Sequence, residues 1–262
     1  MNHSKTTTLP VDYPQQLEIA KTLQGEQMIE YADALFGPRL GILCSFGTEA
    51  LVGVHMAIQV VPKIPVLAVD PGQLPLATLK YRDDCARRYD LNLHIIRPDL
   101  DEVRREDPNG KLYKEAQEDC CNLRKVRPLN RAVQSWNELI AQYNGSLERN
   151  LGNRYALLTG IKKHHGDGRE NAQSIVTVGN RTDFAPLFHY TREQIAAEFI
   201  ARGLPRHPLE GKGYKSIGCG PCSSPNPDSE GFRDGRWVGS KKRACLINLA
   251  DRQTALTPNP TG

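Results

Sequence analysis

Two pairs of cysteines are the residues best equipped to do chemistry in this 262-residue chain: Cys120-Cys121 in DCCNLRK, and Cys219-x-x-Cys222 in SIGCGPCSS. Four thiolates gathered by two short clips make a metal site, and their softness selects zinc or an iron–sulfur cluster. Structural zinc favours C-x₂₋₄-C clips at both ends. A directly adjacent pair fits that pattern poorly, because neighbouring side chains on a helix diverge by about 100°. A cubane, with its irons on separate corners, accepts thiolates from different directions. A lone C-x-x-C reads as well as a redox dithiol or as ordinary buried cysteines; a second pair in the same chain favours the metal.

Three cysteines stand apart. Cys245, in GRWVGSKKRACLINL, follows Lys241, Lys242 and Arg243, and neighbouring cations favour the nucleophilic thiolate. Near a mobile chain end it could exchange with the thiol of a second protein, although ACLINL also suits a small buried hydrophobe. Cys44 and Cys85 fall inside a predicted strand and a predicted helix and read as packing residues.

The elements that must position these residues alternate in type. Short apolar runs at 40–46, 65–70, 91–98, 155–160 and 174–178 are predicted strands; helical stretches run to Val60, over 76–89 and near 123–143. The alternation predicts an α/β fold, a Rossmann-like parallel sheet with helices on both faces. Ligands bind such sheets at the carboxyl ends of the strands. That rule puts 45–49, 70–72 and 160–169 on one rim. An amphipathic helix over 15–35 precedes the sheet, and Thr191 caps a helix that stops before Gly203. The chain thus divides into a helical segment (1–36), a nucleotide-binding α/β domain (37–204), an irregular segment rich in Gly, Pro and Ser that carries the clip and Cys245 (205–253), and a disordered tail (254–262).

Bulk properties narrow the class. A net charge of +4 without a long basic block gives no sign of nucleic-acid wrapping. No run approaches the roughly 18–20 apolar residues of a membrane span. The polar start MNHSKTTTLPVDYP does not read as a signal peptide. Seven cysteines, an odd number, argue against a fully paired secreted framework. The expectation is a cytoplasmic enzyme.

Ser45-Phe46-Gly47-Thr48 follows a strand and opens a helix, so backbone N–H groups and two hydroxyls could cradle an anion. It lacks the signatures of a Walker loop and of a dinucleotide fold. Asp70-Pro71-Gly72 ends the next strand, as a tight turn or as carboxylate and main-chain contacts to a nucleoside. The loop from Gly160 through Lys162, Lys163, His164 and His165 to Arg169 carries cations between glycines, suited to clamping phosphate or sulfate oxygens. Adjacent histidines with no third ligand nearby do not make a metal site.

Taken together, these residues resemble the sulfonucleotide reductases, and within them the iron–sulfur-containing adenylyl-sulfate (APS) reductase branch. Cys120-Cys121-Asn-Leu-Arg124-Lys125-Val-Arg127-Pro128-Leu129 is similar to that family's C-C-x-x-R-K-x-x-P-L block. Gly213-Tyr214-Lys-Ser216-Ile217-Gly218-Cys219-Gly-Pro221-Cys222 is similar to its G-Y-x-S-I-G-C-x-P-C segment. Ser45-Phe46-Gly47 falls at its phosphate loop, Gly160 near the start of its basic loop, Gly235-Arg236-Trp237 at its G-R-W element, and Cys245 at its catalytic cysteine. Four departures are visible: S-F-G-T-E-A with Ala50 for an acid, D-P-G for D-T-G, lysines and histidines where the basic loop has arginines, and A-C-L-I-N for E-C-G-[LI]-H.

The resemblance implies a [4Fe–4S] cluster on Cys120, Cys121, Cys219 and Cys222, and Cys245 as the nucleophile. It implies that Ser45, Phe46, Gly47, Thr48, Asp70, Gly72, Lys125, Gly160, Lys162, Arg169 and Arg236 contact substrate. The implied reaction is thiol-dependent reduction of APS to sulfite and AMP through a Cys S-sulfo intermediate, in sulfate assimilation. Thioredoxin or an equivalent thiol is the implied reductant, and homo-oligomerisation is left open. The alternatives are reduction of 3′-phosphoadenylyl sulfate (PAPS), or a non-catalytic iron–sulfur homologue.

Overall fold

The computed structural model describes residues 12–143, 151, 153–166 and 169–249. The expected disordered tail lies outside the described residues. Six strands form one sheet in the order β3-β2-β1-β4-β6-β5. They are β1 (Leu40–Leu43), β2 (Val66–Val69), β3 (Leu93–Ile96), β4 (Tyr155–Thr159), β5 (Ile175–Val178) and β6 (Arg181–Phe184). All neighbours are parallel except β5 and β6, which run antiparallel at one edge. The five expected strands are present, each shorter than expected at one or both ends. β6 was not foreseen: its sequence RTDF is half charged, and Arg181 and Asp183 are buried as an ion pair at 2.6 Å. A hydrophobic run is the wrong signal for such a strand.

Period-2 alternation sends the strands' side chains to two cores. Leu40, Ile42, Val66, Ala68, Ala156 and Leu158 join the larger, which is closed by α1 (Tyr13–Lys21), α2 (Gly25–Phe36), α3 (Ala50–Val60), part of α4 (Leu76–Arg88) and α9 (Arg192–Ala201). Leu67, Ile96, Tyr155 and Leu157 pack on the opposite face against Leu129, Val133 and Trp136 of α8 (Arg127–Tyr143). Cys44 and Cys85 both belong to the larger core, as their patterns suggested.

The single helix expected over 15–35 is two, because Gly25 adopts φ +55° and its N–H donates to Pro186 O at 2.8 Å. The helix capped by Thr191 is as expected, with a reciprocal capping box to Gln194. Short helices α5 (Leu100–Glu106), α6 (Leu112–Glu115) and α7 (Gln117–Cys121) lead into a π turn over Asn122–Val126 and then α8. No helix among the described residues is long and apolar enough to cross a membrane.

One buried histidine makes the fold pH-sensitive. Leu209 N–H donates to His207 Nδ1 (3.1 Å), so Nε2 carries the proton it shares with Thr78 Oγ1 (3.0 Å). Burial lowers its pKa from 6.5 to about 4. The unfolded chain therefore binds this proton more readily, and the stability due to the neutral ring, complete above pH 6.5, is lost as pH falls towards 4. Urea unfolding across that window is expected to show the decline in the parent chain and a flatter dependence in His207→Gln. Equal slopes would remove His207 from the account.

Candidate active site

Strand order reverses between β1 and β4: the chain builds outward to β2 and β3 on one side and to β6 on the other. The two strand ends that diverge there open a crevice, the usual ligand position in such sheets. A cavity of about 190 Å³ occupies it, lined by Ser45, Gly47, Thr48 and Glu49 from the β1 end and by Gly160, Lys162, His165 and Arg169 from beyond β4. Asp70 and Gly72, one strand further out, do not line it; Val69 and Leu74 do. The Asp70 carboxylate is used within its own turn, accepting from Gly72 N–H at 3.0 Å, and it pairs with Arg82 and Arg97 at 3.6 Å.

The β1 loop is held by what surrounds it. Phe46 sits at φ +49° with its ring buried in the larger core, which pins a conformation an aromatic residue rarely adopts. The ring is thus an anchor, outside the cavity lining. Thr48 Oγ1 donates to Lys215 O (2.8 Å), tying the loop to the C-terminal segment. Lys162 is fully buried, with Nζ 3.4 Å from Glu49 Oε2 and 3.3 Å from Gly160 O. Glu49 also receives His165 Nε2–H at 2.9 Å and lies 3.4 Å from His164 Nε2. Although burial opposes it, the His165 N–H and the Lys162 charge hold the Glu49 carboxyl far below its usual range. The sequence offered no third ligand beside the two histidines; folding supplies Glu49, and the three ligand atoms lie within 4.8 Å of one another.

Behind this cavity is a smaller one lined by Cys120, Cys121, Cys219 and Cys222, with Gln117, Arg124, Lys125, Arg236, Trp237 and Cys245. Gln117, Cys120, Cys121, Arg124 and Lys125 recur at helical spacing, so the adjacent cysteines share one stripe despite their divergence. The π turn lies within that stripe, and such turns are frequent at functional sites. Arg124 is locked by Asp107 (2.7 Å) and by Pro71 O (3.1 Å). The 219–222 clip is held by Gly220 N–H to Gln73 O (2.7 Å) and by pairing of Ser224 with Gly235 (2.8 Å). A Cβ at Gly235 would lie 2.2 Å from Ser224 O, so only glycine allows that approach. The turn at 70–73 thus braces the cysteine pocket more than it faces the cleft.

The residues present fit a metal centre. All four cysteines are free thiols, and the pocket lining contains no carboxylate or imidazole. Trp237 Nε1 is buried there without a hydrogen-bond partner, a donor suited to a sulfur acceptor. The tight group found among the described residues is Glu49, His164 and His165, and the thiols form no comparable one. Four thiols with no harder donor beside them suit a soft metal centre, zinc or iron–sulfur.

Lys125, Arg236 and Cys245 line both cavities. Lys125 Nζ lies 3.5 Å from Cys245 Sγ. The Cys245 thiol is held well below its ordinary pKa by a hydrogen bond with Cys121 and, against burial, by Lys125, Arg236 and Arg233. The three cations act whatever the ligation of Cys121. They are not the neighbours that the sequence suggested: Lys242 pairs with Glu118 at 2.6 Å and lies over Trp237. Nor is Cys245 on a loose arm. Arg181 donates to Ile247 O (3.2 Å), Leu249 N–H donates to Asp183 (2.9 Å), and Leu249 is buried. The unforeseen strand β6 is what seats the nucleophile candidate.

Sequence reasoning put Glu49 on the rim without a role and missed Ser216, Phe232 and Arg233 as cleft residues. Arg233 stands three residues before Arg236, and that spacing within GFRDGRW was the available signal. Phe232 stacks on His165 at 4.4 Å, a contact between remote segments that no local pattern carries.

A sheet with this switch point, a cationic cleft and a thiol at its floor defines an adenine-nucleotide α-hydrolase-like enzyme fold. The phosphoadenosine phosphosulfate reductase domain matches residues 39–225, and the chain belongs to that family. It is 34% identical over 230 residues to the adenosine 5′-phosphosulfate reductase of Chelativorans sp. (strain BNC1), covering 87% of this chain and 86% of that one. It is 30% identical to the phosphoadenosine 5′-phosphosulfate reductase of Synechocystis sp., covering 95% and 94%. Among solved structures, phosphoadenylyl-sulfate reductase from Candida auris superposes with a TM-score of 0.62 at 22% identity, over 81% of this chain and 98% of that chain. That likeness concerns the fold.

Proposed function

We propose that the chain reduces adenylyl sulfate to sulfite and AMP, with Cys245 as nucleophile. The observation that carries this reading is the position of Cys245 at the floor of the switch-point cleft, 3.5 Å from Lys125 Nζ. The relatives named adenosine 5′-phosphosulfate reductase, at up to 34% identity, support the substrate class.

Ser45, Gly47, Thr48 and Gly160 line the nucleotide end of the cleft, with Lys162 and Arg169 supplying positive charge there. Asp70 and Gly72 act at the other pocket, through the turn that braces Arg124 and the cysteine clip. Lys125, Arg233 and Arg236 take the phosphosulfate, where charge grows on the leaving phosphate. The Cys245 thiolate attacks the sulfate sulfur and the S–O bond to phosphate breaks. AMP leaves with that electron pair, and Cys245 carries S-sulfonate. A dithiol of the thioredoxin kind then attacks Cys245 Sγ and releases sulfite. Its second thiol resolves the mixed disulfide and restores the Cys245 thiolate. The two electrons come from the dithiol.

Cys120, Cys121, Cys219 and Cys222 would hold a [4Fe–4S] cluster. When bound, the cluster supplies charge and rigidity beside Lys125. Lys125 is the chain's own link between that pocket and the substrate. Although burial opposes it, the charge of Cys245, with the Cys219 and Cys121 sulfurs beside it, keeps Lys125 protonated. Lys125→Ala is expected to lower kcat/KM about 100- to 1,000-fold, as loss of one preorganised charge donor does. Steady-state AMP release, with visible absorption as a check on the cluster, measures this.

The reading is tested by an anaerobic preparation given adenylyl sulfate, or its 3′-phosphorylated form, with thioredoxin. Sulfite release favouring adenylyl sulfate is expected. Release only from the 3′-phosphorylated nucleotide would transfer the assignment to that substrate, and no release from either would end it.

A further inference from the structure

We infer that Glu49, His164 and His165 form a binding site for a divalent transition-metal ion of the zinc class on the wall of the cleft. The reductase reading makes no use of this cluster as a set, and the inference does not depend on that reading.

The argument starts from an imbalance of hydrogen-bonding capacity. His164 Nδ1 lies 2.9 Å from the Tyr190 carbonyl oxygen, which only accepts, so Nδ1 carries the proton. The other nitrogen, Nε2, is then a lone pair. It is buried, has no hydrogen-bond partner, and stands 3.4 Å from Glu49 Oε2. Two acceptors facing each other in a buried position call for a cation between them. An N–H fixed on a backbone carbonyl is also the arrangement that orients a ligating imidazole and raises its basicity.

The third donor is close. His165 Nε2 lies 2.9 Å from the same Oε2, and the three ligand atoms fall within 4.8 Å of one another. With bonds of about 2.0–2.1 Å, donors on a tetrahedral ion stand roughly 3.3 Å apart. The two measured separations, 2.9 and 3.4 Å, bracket that value. Two imidazoles and one carboxylate are a borderline-hard set suited to zinc, cobalt or nickel and poor for the soft ions that thiolates select. Glu49 and His165 line the cleft, so a fourth position opens toward a water or a phosphate oxygen. The face-to-face stack of Phe232 on His165 fixes that ring plane.

The site competes with positive charge already present. Lys162 Nζ is 3.4 Å from Glu49 Oε2, and Arg169 lies 3.3 Å from His165 Nδ1. Metal entry requires Lys162 to leave the carboxylate oxygen. His165 must release its Nε2 proton and take the Nδ1–H tautomer, which turns the Arg169 donor away. No oxidation or reduction is involved.

Cobalt(II) is the probe, titrated anaerobically into cluster-loaded protein and read by absorption at the cobalt K edge. Expected is saturable binding with nitrogen and oxygen neighbours only. Loss of a direct ligand in His164→Ala or His165→Ala is expected to weaken it beyond the roughly 10- to 100-fold that an outer-shell change costs. His189→Ala, an exposed histidine outside the cluster, should bind as the parent does. Circular dichroism of the variants separates lost ligation from lost fold, and His165→Gln offers a bulkier second replacement. Cobalt with sulfur neighbours alone, no saturable binding, or binding unchanged in both histidine variants would overturn the site. Each of these results leaves sulfite release, the readout of the reductase reading, untouched.

Discussion

Replacing Cys245 with serine is expected to abolish sulfite release while leaving nucleotide affinity unchanged. The thiol contributes a bond to sulfur, and the hydroxyl that replaces it remains protonated in the same cationic surroundings. Lys125, Arg233 and Arg236 lower a thiol into the working range; they do not bring an aliphatic hydroxyl there. The fall should be at least roughly 10⁴-fold in kcat, the scale on which a covalent nucleophile is missed. Adenylyl sulfate binding, followed by calorimetry, rests on the strand-end loops and should persist. Equal losses in affinity and turnover would make Cys245 a packing residue, the other reading its ACLINL context allows.

The second large effect is expected at the clip. Cys219→Ser should remove iron and the visible chromophore together, since a hard hydroxyl replaces one of four soft donors. The clip is otherwise held by a 3-10 turn over Gly220–Cys222, a bridge from Ser223 to Arg236, the Ser224–Gly235 bond and the bond to Gln73. Arg236 donates to Cys222 O at 3.0 Å and packs over Trp237, so loosening the clip also displaces the proposed phosphosulfate ligand. Turnover should therefore fall with iron content. Cys85→Ala, in the main core, should weaken the fold and keep the iron. Full iron in Cys219→Ser, by metal analysis, would contradict the four-cysteine centre.

Local chemistry was legible in the sequence and its assembly only partly so. The cysteine blocks, the strand-end rule and the Thr191 cap depend on spacing within a few residues, and folding preserves spacing. What was illegible comes from segments far apart in the chain. The cations around Cys245 arrive from 125, 233 and 236, whereas the adjacent Lys242 turns to Glu118. Strand β6 escaped notice because Arg181 and Asp183 satisfy each other in the interior, which apolar patterning cannot register. Asp70 and Gly72 were expected at the ligand because they end a strand. The topology moves the crevice to the β1–β4 junction, and Arg124 and Gly220 take the carbonyls of their turn. The His164-His165 pair was set aside as a metal site for want of a third ligand, which Glu49 provides from more than a hundred residues away.

The mass of the Cys245 peptide after incubation with adenylyl sulfate and no reducing thiol tests the central claim most directly. The account predicts one added sulfonate on Cys245, released as sulfite when thioredoxin is supplied. An unmodified Cys245, with AMP released nonetheless or with the sulfonate on another cysteine, would contradict it.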